Sequence, residues 1–343
     1  MSSKKILIVK IGAIGDVVMA LPLLTHFRKT ESNVHITWVA GKTVEPILKL
    51  TQKVDEILTV DEQALFKSSV FKRILELTRV QAKLAGKRFD MILTGHVDWR
   101  YRLITLTARS KDRRFFRRDS QRQCPVPGRY HGCEYLRLAT NVDDGDLLDT
   151  ELPQLDLPKS PYADHSRPTV VLAPGGAKNI LAEDALRRWP IQHYVELAQK
   201  LKNQGIEIIL TGGATDGWIS AYFEGISCKH LVGQLNLIEL MSLFHDANLL
   251  VTHDSGPLHL AKLARGKALG LFGPTNPWEK VRPQENIEII WGGEHLPCRP
   301  CYDGKTYAPC KQNKCLQTIL PETVYRKALD MINLVSPILD ITI

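Results

Sequence analysis

Two runs of short apolar strands, each alternating with helical segments, constrain this chain more than any other feature of its sequence. In the first half, buried strands are predicted at residues 5–10, 34–40, 55–60 and 89–95, with a further edge strand at 111–116. In the second half, they are predicted at 169–174, 206–212, 247–253, 267–273 and 287–291. Continuously apolar strands separated by helices are typical of parallel sheets covered on both faces. The sequence therefore predicts an α/β fold with two doubly wound parallel sheets.

A segment rich in Pro, Asp and Ser separates the two runs. Residues 152–168 have no helical period and are predicted to be the interdomain linker. A length of 343 residues also exceeds what one hydrophobic core usually supports. We expect a first domain over 1–160, a second over 161–320, and a C-terminal helix within 321–343 that packs back toward the first domain. Ligands of such folds bind at the carboxyl ends of the strands, here in a cleft between the domains.

The N-terminal segment is not expected to be an export signal. Asp16 interrupts its apolar part, and no cleavage site of small residues follows. No apolar run approaches the ~18–20 residues that span a bilayer. These features indicate a cytoplasmic protein, whose seven cysteines lie in a reducing compartment and form no disulfide framework.

Charge is unevenly distributed along the chain. Residues 1–150 carry 26 Lys/Arg and 17 Asp/Glu, a net charge of +9, whereas the remainder has a net charge of −1. Residues 100–118 alone hold eight Lys/Arg and one acid. Such asymmetry favours an anionic partner for the first domain, although a solvated basic face has the same composition. No nucleic-acid-binding module is recognisable, so nucleic acid is not an expected partner.

Asp16 is the candidate catalytic base. It follows the first strand within KIGAIGDVVMALPLL, where Gly12 and Gly15 allow a tight turn and a close approach of a ligand. Transfer of a glycosyl group to an alcohol needs a base for the hydroxyl proton, and a carboxylate can serve. The alternative is an N-cap aspartate that only satisfies helix amides.

The segment VTHDSGPLHLA, residues 251–261, is a candidate diphosphate site. Asp254, Ser255 and Gly256 stand where a strand meets a helix, and His259 follows one turn later. Backbone amides and the helix dipole favour phosphate there. The alternative is a capping aspartate with a packed histidine.

A second candidate phosphate cradle combines a glycine pair with arginine. Gly175 and Gly176 end a predicted strand, and Arg187 lies shortly before residue 190, where a helix is predicted to begin. Arginine binds phosphate bidentately. Helix termini, arginine and histidine together can stabilise a diphosphate leaving group, so no cofactor is expected to be required for catalysis.

Four clustered cysteines suggest a separate metal site. Cys298, Cys301, Cys310 and Cys315 follow the spacing C-x2-C-x8-C-x4-C. Thiolates in this pattern suit a structural Zn²⁺ or iron, although free thiols that pack or react have the same spacing. Cys124, Cys133 and Cys228 are not clustered and are expected to be isolated thiols.

Taken together and in order, these motifs resemble glycosyltransferase family 9, the heptosyltransferases of the lipopolysaccharide inner core. The resemblance rests on ILIVKIGAIGDVVMALPLL, the glycine pair with RRWP, and VTHDSGPLHLA followed by LFGPTNP. It implies a GT-B fold with two Rossmann-like domains facing a central cleft. It further implies inverting, metal-independent transfer from ADP-L-glycero-D-manno-heptose to an anionic glycolipid acceptor, with peripheral contact at the inner face of the cytoplasmic membrane.

The resemblance also implies roles for individual residues. Asp16 matches the catalytic base, and Gly15 and Arg100 fall on the acceptor side. The donor-binding residues implied are Gly175, Gly176, Arg187, Asp254, Ser255, Gly256 and His259. The local sequence GHVDWRYR around Arg100 departs from the family pattern, so the acceptor is not specified. A sugar-nucleotide epimerase of the same fold, or a non-catalytic nucleotide-sugar-binding protein, remain the competing readings.

Overall fold

The computed structural model describes residues 3–117, 124–142, 149–163, 166–178, 183–282, 286–303 and 306–332. The chain forms two compact units. The first comprises residues 1–156, with 179–182 and 278–282, and the second comprises 157–178, 183–277 and 283–343. The expected fold class is confirmed, because each unit is built around its own parallel sheet.

The first unit contains a five-stranded sheet. Its strands are β1 (Lys4–Val9), β2 (Val34–Gly41), β3 (Glu56–Val60), β4 (Met91–Thr94) and β5 (Asp112–Phe115), in the spatial order β3-β2-β1-β4-β5. Its helices are α1 (Ile14–Ala20), α2 (Pro22–Thr30), α3 (Glu45–Leu50), α4 (Glu62–Phe66), α5 (Val70–Leu84), α6 (Arg100–Leu103) and α7 (His131–Thr140). All four strand pairings are parallel, and β1 lies at the centre. The order reverses at β1, so its carboxyl end is the expected ligand-binding edge.

The second unit contains a six-stranded parallel sheet. Its strands are β6 (Thr169–Ala173), β7 (Glu207–Leu210), β8 (Lys229–His230), β9 (Leu249–His253), β10 (Ala268–Phe272) and β11 (Ile287–Trp291), in the order β11-β10-β9-β6-β7-β8. Its helices are α8 (Ile191–Asn203), α9 (Leu237–Asp246), α10 (Gly256–Leu263), α12 (Lys314–Gln317) and α13 (Pro321–Met331), with 3₁₀ turns at Ala185–Arg187 and Ala214–Phe223. The short helix α11 (Pro277–Lys280) belongs to the first unit from Trp278 onward. The two-residue strand β8 was not predicted, because it is too short to show a pattern.

The described part of the expected C-terminal helix packs within the second unit, and its expected packing toward the first domain stays a prediction. Helix α13 packs on α8 within the second unit. Its buried face consists of Val324, Ala328 and Leu329, which join the apolar core of that unit. These positions are spaced as one face of a helix, so the helix satisfies its apolar face locally. Residues 333–343 lie outside the described part of the chain.

The strand-end loops of both sheets carry the candidate residues. In β1 the side chains of Ile6 to Val9 are all buried, which fixes the strand and projects the following residues beyond the sheet edge. In the described residues, no helix has both the length and the hydrophobicity needed to cross a membrane.

Candidate functional site

Asp16 is held by an ion pair rather than by a helix cap. The N-cap of α1 is Ala13, and Asp16 is the third residue of the helix. Its Oδ2 accepts a hydrogen bond from Nζ of Lys10 at 2.8 Å. The capping alternative is therefore wrong, and Lys10, at the end of β1, is a site residue that sequence reasoning missed.

The two members of this pair differ in exposure. The Lys10 side chain is 2% exposed, whereas that of Asp16 is 40% exposed. Burial opposes ionisation of Asp16, but the Lys10 ammonium outweighs it and holds the pKa of the carboxyl well below its usual range. Asp16 is consequently a solvent-accessible carboxylate that stays ionised throughout the neutral range.

Aromatic side chains and a histidine surround Lys10. Its Nζ lies 5.8 Å from the centre of the Tyr135 ring. His96, which follows β4, stacks on Tyr101 with ring centres 4.0 Å apart. Burial lowers the pKa of His96 to about 4, and Lys10 acts in the same direction. Gly95 is needed for this packing, because a Cβ there would lie 2.8 Å from the Tyr135 ring. His96 is therefore neutral at pH 7 and available as a hydrogen-bonding group.

A buried carboxyl group, Glu62, supports the loop that leads to Asp16. A Cβ at Gly41 would lie 2.1 Å from its carboxyl carbon, and a Cβ at Gly12 would lie 3.0 Å from its Oε1. The Thr43 hydroxyl donates to Glu62 at 3.2 Å. Burial raises the pKa of Glu62. Sequence reasoning explained Gly12 by a tight turn and the approach of a ligand, and the structure adds the close approach of Glu62.

The predicted acceptor-side residues lie in the same unit as Asp16. Gly15 is the second residue of α1. Arg100 begins α6, where its Nε donates to Asp98 at 2.8 Å and its guanidinium lies 5.7 Å from the Phe66 ring centre. Arg100 is thus oriented beside the His96–Tyr101 stack, although no hydrogen bond of the described residues joins it to Asp16.

Much of the basic run 100–118 is engaged within the protein. Arg113 donates to the backbone carbonyls of Thr105 and Ala108. Arg114 binds the Asp112 carboxylate at 2.7 Å and the Ala139 carbonyl. These two guanidinium groups close the edge of the first sheet, so part of the net charge there is structural. Arg118 lies outside the described residues.

In the second unit, a buried aspartate holds two glycine turns together. Oδ2 of Asp216 accepts from the backbone N–H of Gly213 at 2.8 Å and of Gly176 at 3.2 Å. A Cβ at Gly175 would lie 2.4 Å from the Asp216 carboxyl carbon. The turn after β6 and the turn after β7 are thereby fixed side by side. Asp216 is another residue that sequence reasoning did not single out, although it follows the strand predicted at 206–212.

Arg187 and Asp254 form the charged centre of these loops. Asp254 accepts from the Thr275 hydroxyl at 2.7 Å and from Arg187 Nη1 at 3.4 Å. Arg187 also donates to Asp184 at 3.0 Å. Burial disfavours the charge on Arg187, but Asp254 and Asp184 outweigh it and raise its pKa. Among the described residues, the buried Nε of Arg187 has no hydrogen-bond partner, so a donor remains for a bound anion.

The remaining predicted donor residues adjoin this centre. Ser255 is the N-cap of α10, and Gly256 is its first residue. Gly176, with φ near +78°, brings its α-carbon beside Ser255, since a Cβ there would lie 3.5 Å from the serine Cβ. His259 is buried one turn into α10. The structure therefore brings together the glycine pair, Arg187, Asp254 and the start of α10.

The neighbouring Arg188 has a different task from Arg187. Its Nε and Nη2 both donate to the carbonyl of Gly176, at 3.0 and 2.8 Å. Arg188 therefore clamps the glycine turn, whereas Arg187 points to Asp254. The sequence RRWP offered no way to tell the two arginines apart.

The four clustered cysteines line one cavity of about 440 Å³. All four are free thiols, and Cys315 is buried whereas Cys298 is exposed. Backbone N–H groups, chiefly that of Gln312, lower the pKa of Cys310, while burial raises that of Cys315 to about 11. Within the described residues, no three His, Cys, Asp or Glu side chains are arranged to hold one metal ion. The metal site stays a prediction.

Part of the chain matches a known protein family. Residues 135–311, just over half of the chain, match the model of glycosyltransferase family 9 (heptosyltransferase). This range contains every predicted donor-side residue, whereas Asp16, Gly15 and Arg100 precede it. The family match therefore covers mainly the second unit.

Two curated relatives and one solved structure extend the likeness over most of the chain. Lipopolysaccharide core heptosyltransferase OpsX of Haemophilus influenzae is 22% identical over 317 residues, 84% of each protein. Lipopolysaccharide heptosyltransferase 1 of Pseudomonas aeruginosa is 24% identical over 341 residues, 91% of this chain and 90% of the relative. The structure of Escherichia coli ADP-heptose lipopolysaccharide heptosyltransferase II is similar with a TM-score of 0.74 and 20% identity, covering 96% of this chain and 98% of that one. The last likeness supports the two-domain fold.

Proposed function

The chain belongs to glycosyltransferase family 9, and from that membership we propose that it transfers heptose from ADP-L-glycero-D-manno-heptose to an acceptor of the lipopolysaccharide inner core. The observation that carries the proposal is the match of residues 135–311 to the heptosyltransferase model. It is supported by relatives that are named heptosyltransferases and align over most of the chain. The protein is accordingly a glycosyltransferase.

The donor diphosphate is proposed to bind the loops of the second unit. The backbone amides of the α10 N-terminus supply uncharged donors for phosphate oxygens, beside the Gly175–Gly176 turn that Asp216 holds in place. Arg187 supplies a positive charge with one donor unused among the described residues. Asp254 orients Arg187 and is itself fixed by Thr275. His259 is proposed to donate to a phosphate oxygen from its place in α10.

Asp16 is proposed to take the acceptor proton. The hydroxyl oxygen forms a bond to the anomeric carbon, the bond from that carbon to the diphosphate breaks on the opposite face, and ADP leaves with the electron pair. The proton passes to the Asp16 carboxylate, which Lys10 keeps ionised beforehand. Since Asp16 is 40% exposed, it can return the proton to water after transfer. General base catalysis of this kind contributes about 10²–10⁴-fold.

Arg187 and the amides and dipole of the α10 N-terminus are proposed to stabilise the leaving diphosphate without a metal. We expect transfer to continue at an unchanged rate in EDTA. A structural Zn²⁺ or iron at Cys298, Cys301, Cys310 and Cys315 is a separate proposal, tested by metal analysis of protein purified without chelator. In either case the acceptor is proposed to be an anionic glycolipid at the cytoplasmic face of the inner membrane.

The test compares wild type with Asp16→Asn. Transfer to a defined core acceptor should fall by at least about 100-fold, because the amide cannot accept the proton. Binding of ADP, measured by calorimetry, should change less than about twofold. Full turnover by Asp16→Asn would exclude it as the base.

A sugar-nucleotide epimerase is the competing enzyme. It converts the donor without acceptor, so product analysis of donor alone distinguishes the two activities. We expect the donor to remain unconverted until acceptor is added.

A further inference from the structure

The first two turns of α5 carry an exposed apolar face that the proposed transfer does not use. Seven successive residues, 69–75, are exposed. Four of them are large and apolar: Val70 is 69% exposed, Phe71 76%, Ile74 55% and Leu75 61%. The first buried residue of α5 is Glu76. Single exposed apolar side chains are ordinary, but four adjacent ones mark an interaction surface.

Helical geometry places these four side chains on one face. At about 100° per residue, Val70, Ile74, Phe71 and Leu75 occupy an arc of about 140°. Lys72 lies about 60° beyond one side of this arc. Arg73 lies about 60° beyond the other. The apolar face is therefore bordered by a cation on each side.

The surrounding charge has one sign. Residues 63–75 contain Lys67, Lys72 and Arg73 but no Asp or Glu. The next acid, Glu76, is buried, and its carboxylate accepts from Arg79 and from the backbone N–H of Asp61. An anionic partner thus meets no carboxylate along this face.

We propose that this face, Val70, Phe71, Ile74 and Leu75 with Lys72 and Arg73, docks on a lipid surface with anionic headgroups. The apolar side chains enter the boundary between headgroups and acyl chains, while the two cations extend to the headgroups. The proposal assigns a particular face of α5 to the peripheral membrane contact that the family resemblance implies. Its test is separate from heptose transfer, because lipid binding needs neither donor nor acceptor.

A second copy of the chain fits this face less well. The exposed parts of the four side chains amount to about 400 Å², roughly half of the ~800 Å² that each partner of a stable dimer buries. Two copies meeting through it would also bring the cations of both helices together. A lipid surface has no such minimum area and carries the complementary charge.

The test measures binding of the full chain to sedimented vesicles of phosphatidylcholine with and without phosphatidylglycerol. Wild type should bind the mixed vesicles. Leu75→Ser should lower the partition coefficient by about tenfold, since a large aliphatic side chain no longer enters the bilayer. Leu320→Ser is the matched control, because Leu320 is equally apolar and 56% exposed but lies at the start of α13. It should bind as wild type does.

A second variant tests the contribution of the two cations, Lys72 and Arg73. Lys72→Gln with Arg73→Gln should lower binding to the mixed vesicles by about 30-fold, at about fivefold per cation, and leave binding to pure phosphatidylcholine unchanged. Absence of wild-type binding to mixed vesicles would overturn the proposal, as would equal loss in Leu75→Ser and Leu320→Ser. A dimer that Leu75→Ser dissociates, seen by analytical ultracentrifugation without lipid, would assign the face to a second copy instead.

Discussion

Replacing Lys10 with methionine removes the charge that keeps Asp16 ionised while preserving a long side chain in a buried site. In wild type, Nζ of Lys10 lies 2.8 Å from Oδ2 of Asp16. The pKa of Asp16 is therefore well below its usual range, despite the opposing effect of burial. In Lys10→Met the effect of burial, the largest on this carboxyl, is opposed chiefly by the weaker charges of His131 and Lys280, so the pKa rises above the ~3.9 of a solvated aspartate.

The size of the change follows from the distance. An opposite charge within ~4–6 Å lowers a carboxyl pKa by about one to three. Loss of Lys10 should raise the pKa of Asp16 by at least that amount. The base must be ionised to act, so kcat of the variant should decline on the acidic side of the range from pH 4.5 to pH 8, where Asp16 gives wild type no such decline.

The assay is transfer to a core acceptor at saturating donor, from pH 4.5 to pH 8. Lys42→Met is the matched control, because Lys42 pairs with Asp61 at 2.7 Å but is 64% exposed and far from β1 in sequence. Its profile should match that of wild type. A profile of Lys10→Met that is lower at every pH but unshifted would refute an electrostatic role for Lys10 and leave only a packing role.

The same contacts give three further predictions. Asp16→Asn leaves the buried Lys10 without a counter-ion and should lower the free energy of unfolding by about 2 kcal/mol. This loss is smaller than for a fully buried pair, because water screens Asp16. Adding Lys10→Met to this variant should restore most of the lost free energy, measured by urea titration. The folded-state pKa of Asp16 is lowered, so wild type keeps this stabilisation above about pH 4 and loses it as the pH falls further. In Lys10→Met the raised pKa should reverse the sign of this contribution, which then favours the folded state as the pH falls. Arg187→Met should raise the Kd for ADP by about 10–100-fold through loss of charged hydrogen bonds, with the surface variant Arg326→Met as a control that leaves Kd unchanged. Asp216→Ala leaves two turn amides without their acceptor and should lower the free energy of unfolding by about 2–4 kcal/mol while weakening ADP binding; unchanged values of both would contradict its role in holding the glycine turns.

The sheets were predictable because their strands are buried on both faces and therefore continuously apolar. Each of the ten predicted strands overlaps an observed one, with ends that differ by no more than two residues. The position of α13 was not predictable in this way. Its apolar face is visible in the sequence, but the pattern does not say which unit supplies the partner surface.

The donor loops were largely predictable from strand ends followed by glycine or by a helix start. Asp254 and Arg187, 67 residues apart, meet because β6 and β9 are neighbours in the sheet. The separate tasks of Arg187 and Arg188 could not be read from adjacent letters, since they depend on which carbonyl or carboxylate each guanidinium reaches.

Around Asp16, the sequence identified the carboxylate but not its partner. Lysine side chains are usually exposed, and only the fold shows that the Lys10 side chain is buried beneath Tyr135. Glu62 and His96 were missed for the same reason, because burial of a polar side chain is decided by tertiary packing. A polar residue within two positions of the end of a buried strand is the signal that could have identified Lys10 and His96.

The most direct test of heptosyl transfer is mass spectrometry of a defined inner-core acceptor after incubation with ADP-heptose. Wild type should add one heptose with inverted configuration at the anomeric carbon and release ADP, while Asp16→Asn, confirmed folded, should leave the acceptor unmodified. An unmodified acceptor with wild type across the available core acceptors, or equal product from Asp16→Asn, would contradict the assignment of this chain as an Asp16-dependent heptosyltransferase.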